Sequence, residues 1–241
     1  MDMPADMQNQ VMGYDRAATM FSPDGHLLQV EYAEKTVRLG SASIGFKCKD
    51  GVVIISDKRI KDVLIETSSA NKIYEIDHHI IASAAGIMSD ARVLVERSQL
   101  ISQQHKVTYD SDIEVESIIK EISNLKQAFT QYGGARPFGV SVLIAGISND
   151  KCRVYVSDVT GNYFGYNATA IGENDEKIKE ILRKEYKEDI TIEQAIKLGF
   201  KIFRKILDKD FEVERFDIAY IKKDNLKIIR EYGDSLKKYL K

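Results

Sequence analysis

The sequence predicts an α+β fold, a four-layer αββα sandwich in which two antiparallel sheets pack face to face and a helix pair covers each outer face. Short β-branched strands come in runs, each run is followed by two amphipathic helices, and the whole pattern occurs twice. A doubly wound parallel sheet would instead alternate strands and helices singly. Only three prolines occur in 241 residues, and no Gly-, Pro- or Ser-rich linker divides the chain.

Taken in order, residues 1–13 are polar, Met-rich and aperiodic, which predicts a mobile arm ahead of one domain over 14–241. Ser22-Pro23-Asp24-Gly25 has the residues of a tight turn. After it, Leu27, Val30, Ala33 and Val37 recur at helical spacing, predicting a leader helix over about 26–39 that Gly40 stops. From Ser41 the period becomes that of strands: "SASIGFK", "GVVIISD", "VLIE", "KIYEI" and "HIIASAAG". Ser89-Asp90 is placed to cap a helix with Ala91, Leu94, Val95, Ser98 and Ile101 on one stripe. A second helix, from about Ile113 to Tyr132, carries Val115, Ile118, Ile119, Ile122, Leu125 and Phe129.

Three further strands follow, "FGVSVLIAGI", "RVYVSD" and "NYFGYNATAIG". Then come a helix bearing Ile178, Ile181, Leu182 and Tyr186, and another opened by a Thr191–Gln194 capping box. "FDIAYIKK" and "LKIIRE" close as a hairpin before a short terminal helix.

Composition excludes several function classes. Thirty-five basic against 37 acidic side chains leave a net charge of −2, which offers no bulk attraction to nucleic acid or anionic lipid. No apolar run approaches the roughly 18 residues of a membrane span, and no secretory leader opens the chain. A cytoplasmic protein is expected, with Cys48 and Cys152 as buried reduced thiols. His26 and His105 lack companions at ligand spacing, and on a pleated strand His78 and His79 would point to opposite faces, so neither a metal site nor a cofactor is expected. No Gly-rich phosphate loop is present.

"LGSASIGF" (39–46) raises the chemical question. A Gly-Ser step opening an apolar strand resembles the start of the mature chain in a self-processing hydrolase. In such enzymes the freed α-amine of a Ser, Thr or Cys serves as the base. Without a cut after Gly40 that amine does not exist, and an internal Ser41 is expected to lack a substitute. The leader helix, moreover, has an apolar stripe suited to packing on the domain, so it is not expected to be discarded.

"GYDRAATMFSPDGHLLQVEYA" (13–33), "SDARVL" (89–94), "FTQYGGARPFGVSVLIAGI" (129–147) and "NATAIG" (167–172) closely resemble the signatures of proteasome α-subunits, most like the archaeal forms. The resemblance runs over nearly the whole chain and implies the N-terminal nucleophile hydrolase fold. It also implies a non-catalytic subunit that forms a seven-membered ring with its own copies and caps rings of β-subunits. On this resemblance Asp57 and Lys72 lie roughly where β-subunits carry the partners of the nucleophile, a trace of the fold.

The same resemblance assigns Tyr14, Asp15, Arg16, Pro23 and Tyr32 to a gate admitting unfolded polypeptides. It assigns Lys72, Gly40 and Ile87 to a pocket between neighbouring subunits that receives the C-terminal tail of an ATPase activator. Glu34 departs from the family, which commonly has a basic residue there, so the pocket's local sign and tail preference are expected to differ. "GGARPFG" (133–139) reads as a structural junction in which Arg136 bridges to a nearby carboxylate.

Overall fold

The computed structural model describes residue 9, residues 11–59, 64–66 and 71–240. Most of the expected arm therefore lies outside the described residues. Of it, Asn9 and Val11 are helical, and Asn9 is buried.

Helix α1, Leu28–Leu39, follows the Ser22–Gly25 turn, in which the Gly25 amide donates to the Ser22 carbonyl at 2.9 Å. The first sheet contains β1 (Ser43–Lys47), β2 (Gly51–Asp57), β8 (Ala168–Ile171), β9 (Phe216–Lys222) and β10 (Ile228–Tyr232), in the order β10-β9-β2-β1-β8. The second contains β3 (Ile73–Asp77), β4 (Ile80–Gly86), β5 (Val140–Ser148), β6 (Lys151–Ser157) and β7 (Tyr163–Gly165), in the order β3-β4-β5-β6-β7. Every pairing is antiparallel.

Helices α2 (Met88–Tyr109) and α3 (Val115–Gln131) cover the second sheet, and α4 (Asp175–Glu185) and α5 (Ile192–Leu207) cover the first. Two-residue periodicity explains why the layers hold. Along β2, Val53 and Ile55 face α5, whereas Val52 and Ile54 face the other sheet. Along β5, Val140, Val142 and Ile144 pack on α2 and α3, while Leu143, Ala145 and Ile147 fill the space between the sheets. Both central strands are buried on two faces, which is why they read as continuous apolar runs.

The expected four layers are therefore present, with several local differences. Residues 64–66 of "VLIE" form a turn and bend rather than a strand, and Val63 lies outside the described residues. Their exposure explains this: Leu64 is 89% exposed, so no sheet face rewards its extension. "NYFGYNATAIG" is two strands, not one; β7 stays in the second sheet, and the chain crosses at Tyr166-Asn167 to place β8 beside β1.

Helix α2 starts at Met88 without a side-chain cap, because its N-cap is the apolar Ile87, while Ser89 and Asp90 already lie inside the first turn. Gly40 does end α1, but at φ −70° and ψ 144°, so it is not a left-handed cap. The Thr191–Gln194 capping box, the terminal hairpin and both free, buried cysteines match expectation. The leader's stripe packs as expected too, with Val30 and Ala33 buried against Val159.

Candidate functional site

The site is built around the uncut Leu39-Gly40-Ser41 link between α1 and β1. Glycines let backbone meet backbone there. A Cβ on Gly40 would stand 2.4 Å from the Gly86 amide nitrogen, and one on Gly172 would stand 2.6 Å from the Ser41 carbonyl oxygen. The Gly40 carbonyl accepts the Glu173 amide at 2.7 Å, and Glu173 pairs with Arg59, whose Nη1 reaches the Leu39 carbonyl at 3.5 Å. The link is therefore held from both sides by the domain.

Lys72 approaches from the start of β3. Its Nζ donates to the Ser41 carbonyl, lies 2.5 Å from Ser41 Oγ and 3.3 Å from the Asp57 carbonyl. The side chain is buried, and burial lowers its pKa to about 7; Asp57 opposes the shift and Arg59 adds to it. Lys72 Nζ stands as a donor to the Ser41 hydroxyl, to its carbonyl and to the Asp57 carbonyl.

Asp57 is not free to join them, since both its carboxylate oxygens take the Arg215 guanidinium, at 2.8 and 2.7 Å. Behind the lysine, the hydroxyls of Ser43, Ser56 and Ser83 form a buried triangle with sides of 2.8–2.9 Å, and Ser83 also donates to the Lys72 carbonyl. Three hydroxyl residues interrupting apolar strands are visible in the sequence. Their meeting is not, because it depends on strand register, and Arg215 carries no local signal at all.

The other expected site residues divide into two groups. Gly40, Ile87 and Lys72 do come together: Gly40 abuts Gly86, and Ile87 donates its amide to the Gly139 carbonyl, which also accepts Thr36 of α1. Glu34 is exposed on α1 and lines a separate cleft of about 250 Å³ with Arg38, Asp158, Gly172 and Lys179. Tyr14, Asp15 and Arg16 form a 3₁₀ turn that Gln29 of α1 holds through the Asp15 carbonyl at 2.5 Å. Pro23 is exposed in its turn, and Tyr32 is half-buried on α1. Arg136 makes the expected bridge, gripping Asp90 with two bonds of 2.7 Å while Asp90 also accepts the Gly139 amide.

His78 and His79 differ from expectation. They occupy the β3–β4 turn instead of a pleated strand, so their side chains do not alternate, and one donor atom from each lies within 4.8 Å of the other and of one from Asp77.

The comparisons with known proteins bear on the segment that a processing enzyme would discard. Residues 37–221 match the family model for proteasome subunits, and residues 14–35 match the model for the N-terminal signature of the A-type proteasome subunits. This chain belongs to the proteasome α-subunit family. It is similar to the proteasome α-subunit of Archaeoglobus fulgidus, 42% identical over 229 residues that cover 95% of this chain and 93% of the relative. It is also similar to the α-subunits of Methanocaldococcus jannaschii, 45% identical over 86% of this chain and 79% of the relative, and Pyrococcus abyssi, 44% identical over 95% and 87%. The glycine-lined junction is thus a feature of a core-particle α-subunit in which the N-terminal signature directly precedes the domain.

Proposed function

We propose that this chain is a non-catalytic, cytoplasmic subunit that assembles with its own copies into seven-membered outer rings, gates polypeptide entry to a proteolytic chamber formed by β-subunits, and docks ATPase activators. One observation carries the reading: the leader is integral to the domain. Its helix is buried on Val159, its end is fixed through Gly40 and Gly86, and its first turn is tied down by Gln29. Removing it would expose those faces, so the α-amine on which a nucleophile of this kind relies stays locked in the Gly40–Ser41 peptide bond.

The gate would be residues 1–13, hinged at the Tyr14–Arg16 turn and steered by Asp15, Pro23 and Tyr32 at the junction with a neighbouring copy. The activator tail would end against Lys72, between Gly40 and Ile87. Its carboxylate would draw the ammonium away from Ser41 and restore the charge that burial suppresses, a charge-assisted contact of about 2 kcal/mol per tail. Seven such contacts act through effective concentration, so each can be weak. Co-expression with a proteasome β-subunit tests the assembly: native mass spectrometry should show a co-assembled, peptide-cleaving particle. Lys72→Ala should keep that particle intact yet abolish stimulation by the ATPase; undiminished stimulation removes Lys72 from the docking role.

The Ser41–Lys72 contact supports a second reading, a hydrolase that matures at Ser41. There the hydroxyl would add to the Gly40 carbonyl, the amide C–N bond would give way to an ester, and water would then release the leader. The intact mass of the isolated chain separates the two: a chain beginning at Ser41 defeats the gating subunit, and an uncut leader defeats the hydrolase.

A further inference from the structure

The turn between β3 and β4 lies far in sequence from the Ser41 junction and none of its side chains serves the proposed gate. It nevertheless carries a donor set with an unusual degree of outer support. Asp77, His78 and His79 each offer one ligand atom, all within 4.8 Å of one another. In each residue the second polar atom is held by a group outside the trio. Asp77 Oδ2 accepts the Ser102 hydroxyl of α2, His78 Nε2 faces Asp112 Oδ2 at 3.2 Å, and His79 Nε2 meets the Ile113 carbonyl at 2.9 Å.

The partner of His79 fixes its tautomer. A carbonyl only accepts, so Nε2 carries the proton and Nδ1 presents a lone pair. That Nδ1 is buried, with the residue 1% exposed, and has no hydrogen-bond partner among the described residues. A buried acceptor left unsatisfied costs about 1–3 kcal/mol unless something occupies it. Asp77 Oδ1 accepts a hydrogen bond from His78 Nδ1 at 2.8 Å and from the His78 amide at 2.7 Å, so an ion would displace the imidazole proton between the two side chains; His78 is open to solvent on its far side.

We propose that Asp77, His78 and His79 bind one first-row transition-metal dication of the zinc class, with a fourth position left to water. Two imidazoles and one carboxylate suit such an ion, and donors around zinc stand about 3.4 Å apart, which small rotations of the two rings reach from the observed spacing. A carboxylate on His78 Nε2 and a carbonyl on His79 Nε2 are the outer partners that raise imidazole basicity in metal sites. Because those partners lie in the loop joining α2 to α3, the ion would tie the edge hairpin of the second sheet to the helices covering it.

The test uses the full-length chain, untagged and stripped with chelator, titrated with zinc by calorimetry and with cobalt by absorbance. One zinc per chain, a tetrahedral cobalt spectrum and a rise in melting temperature with zinc are expected. His78→Ala should remove all three. His79→Gln, which keeps a donor for the Ile113 carbonyl while deleting the ring nitrogen, should also remove them, and Asp112→Asn should weaken affinity about tenfold. If His79→Gln fails to fold, His78→Ala at the solvent-exposed position decides alone. Equal binding by wild type and His78→Ala, or no stoichiometric zinc on the wild type, overturns the proposal.

Discussion

Individual side chains here owe their behaviour to burial. Asp57 is almost fully enclosed and its compensation is Arg215, itself 10% exposed at the side chain. Arg215→Ala would leave a carboxylate without its counter-charge and should cost about 3–5 kcal/mol, read as a fall in the urea midpoint; a change within error would show that Arg59 or water takes over. Lys126 is another buried basic side chain. Fully enclosed on α3, it donates to the Ser157 carbonyl at 3.1 Å, and burial lowers its pKa to about 7.

The unfolded chain keeps that proton up to the ordinary lysine pKa near 10.5. Between about pH 7 and that value the unfolded state therefore binds more protons, and stability must rise with pH by up to about 1.4 kcal/mol per unit. Lys126→Met removes this residue's share of the dependence and leaves that of Lys72, whose pKa burial also lowers to about 7. The variant should be the more stable at about pH 6 and should lose that advantage by about pH 9, as urea midpoints at the two values will show.

At the scale of elements, the decisive contacts are those where a side chain is forbidden or a terminus must be capped. Gly40→Ala sets a methyl against the Gly86 backbone, which no rotamer change relieves, so the α1–β1 junction has to open. A loss of about 2–3 kcal/mol is expected by denaturant unfolding. Thr191→Ala removes only the acceptor for the Gln194 amide at 3.2 Å and should cost about 1 kcal/mol, with α5 retained by circular dichroism. The contrast separates a junction that holds two layers together from a cap that serves one helix.

For the whole molecule, the question is whether the leader works as a gate. Deleting residues 1–12 keeps the Tyr14–Arg16 turn, α1 and every strand in the chain. A particle co-assembled with β-subunits should therefore keep its mass and hydrolyse peptides several-fold faster without any activator. An unchanged basal rate would mean that the arm does not obstruct entry. No described helix is long and apolar enough to cross a membrane.

By itself the sequence determined the layers, both helix pairs, the leader stripe and the α5 capping box, because each follows from periodicity or from residue types placed close along the chain; that Arg136 finds its carboxylate in Asp90, 46 residues away, it did not. Proximity across the fold was decided only by the tertiary structure. The resemblance singled out Lys72, but only strand pairing lays it on Ser41, and the serine triangle, the Asp57–Arg215 pair and the Asp77–His78–His79 cluster join residues by register or by turn geometry. Periodicity reports which face a residue takes; it carries no information about what another strand, tens of residues away, sets against that face.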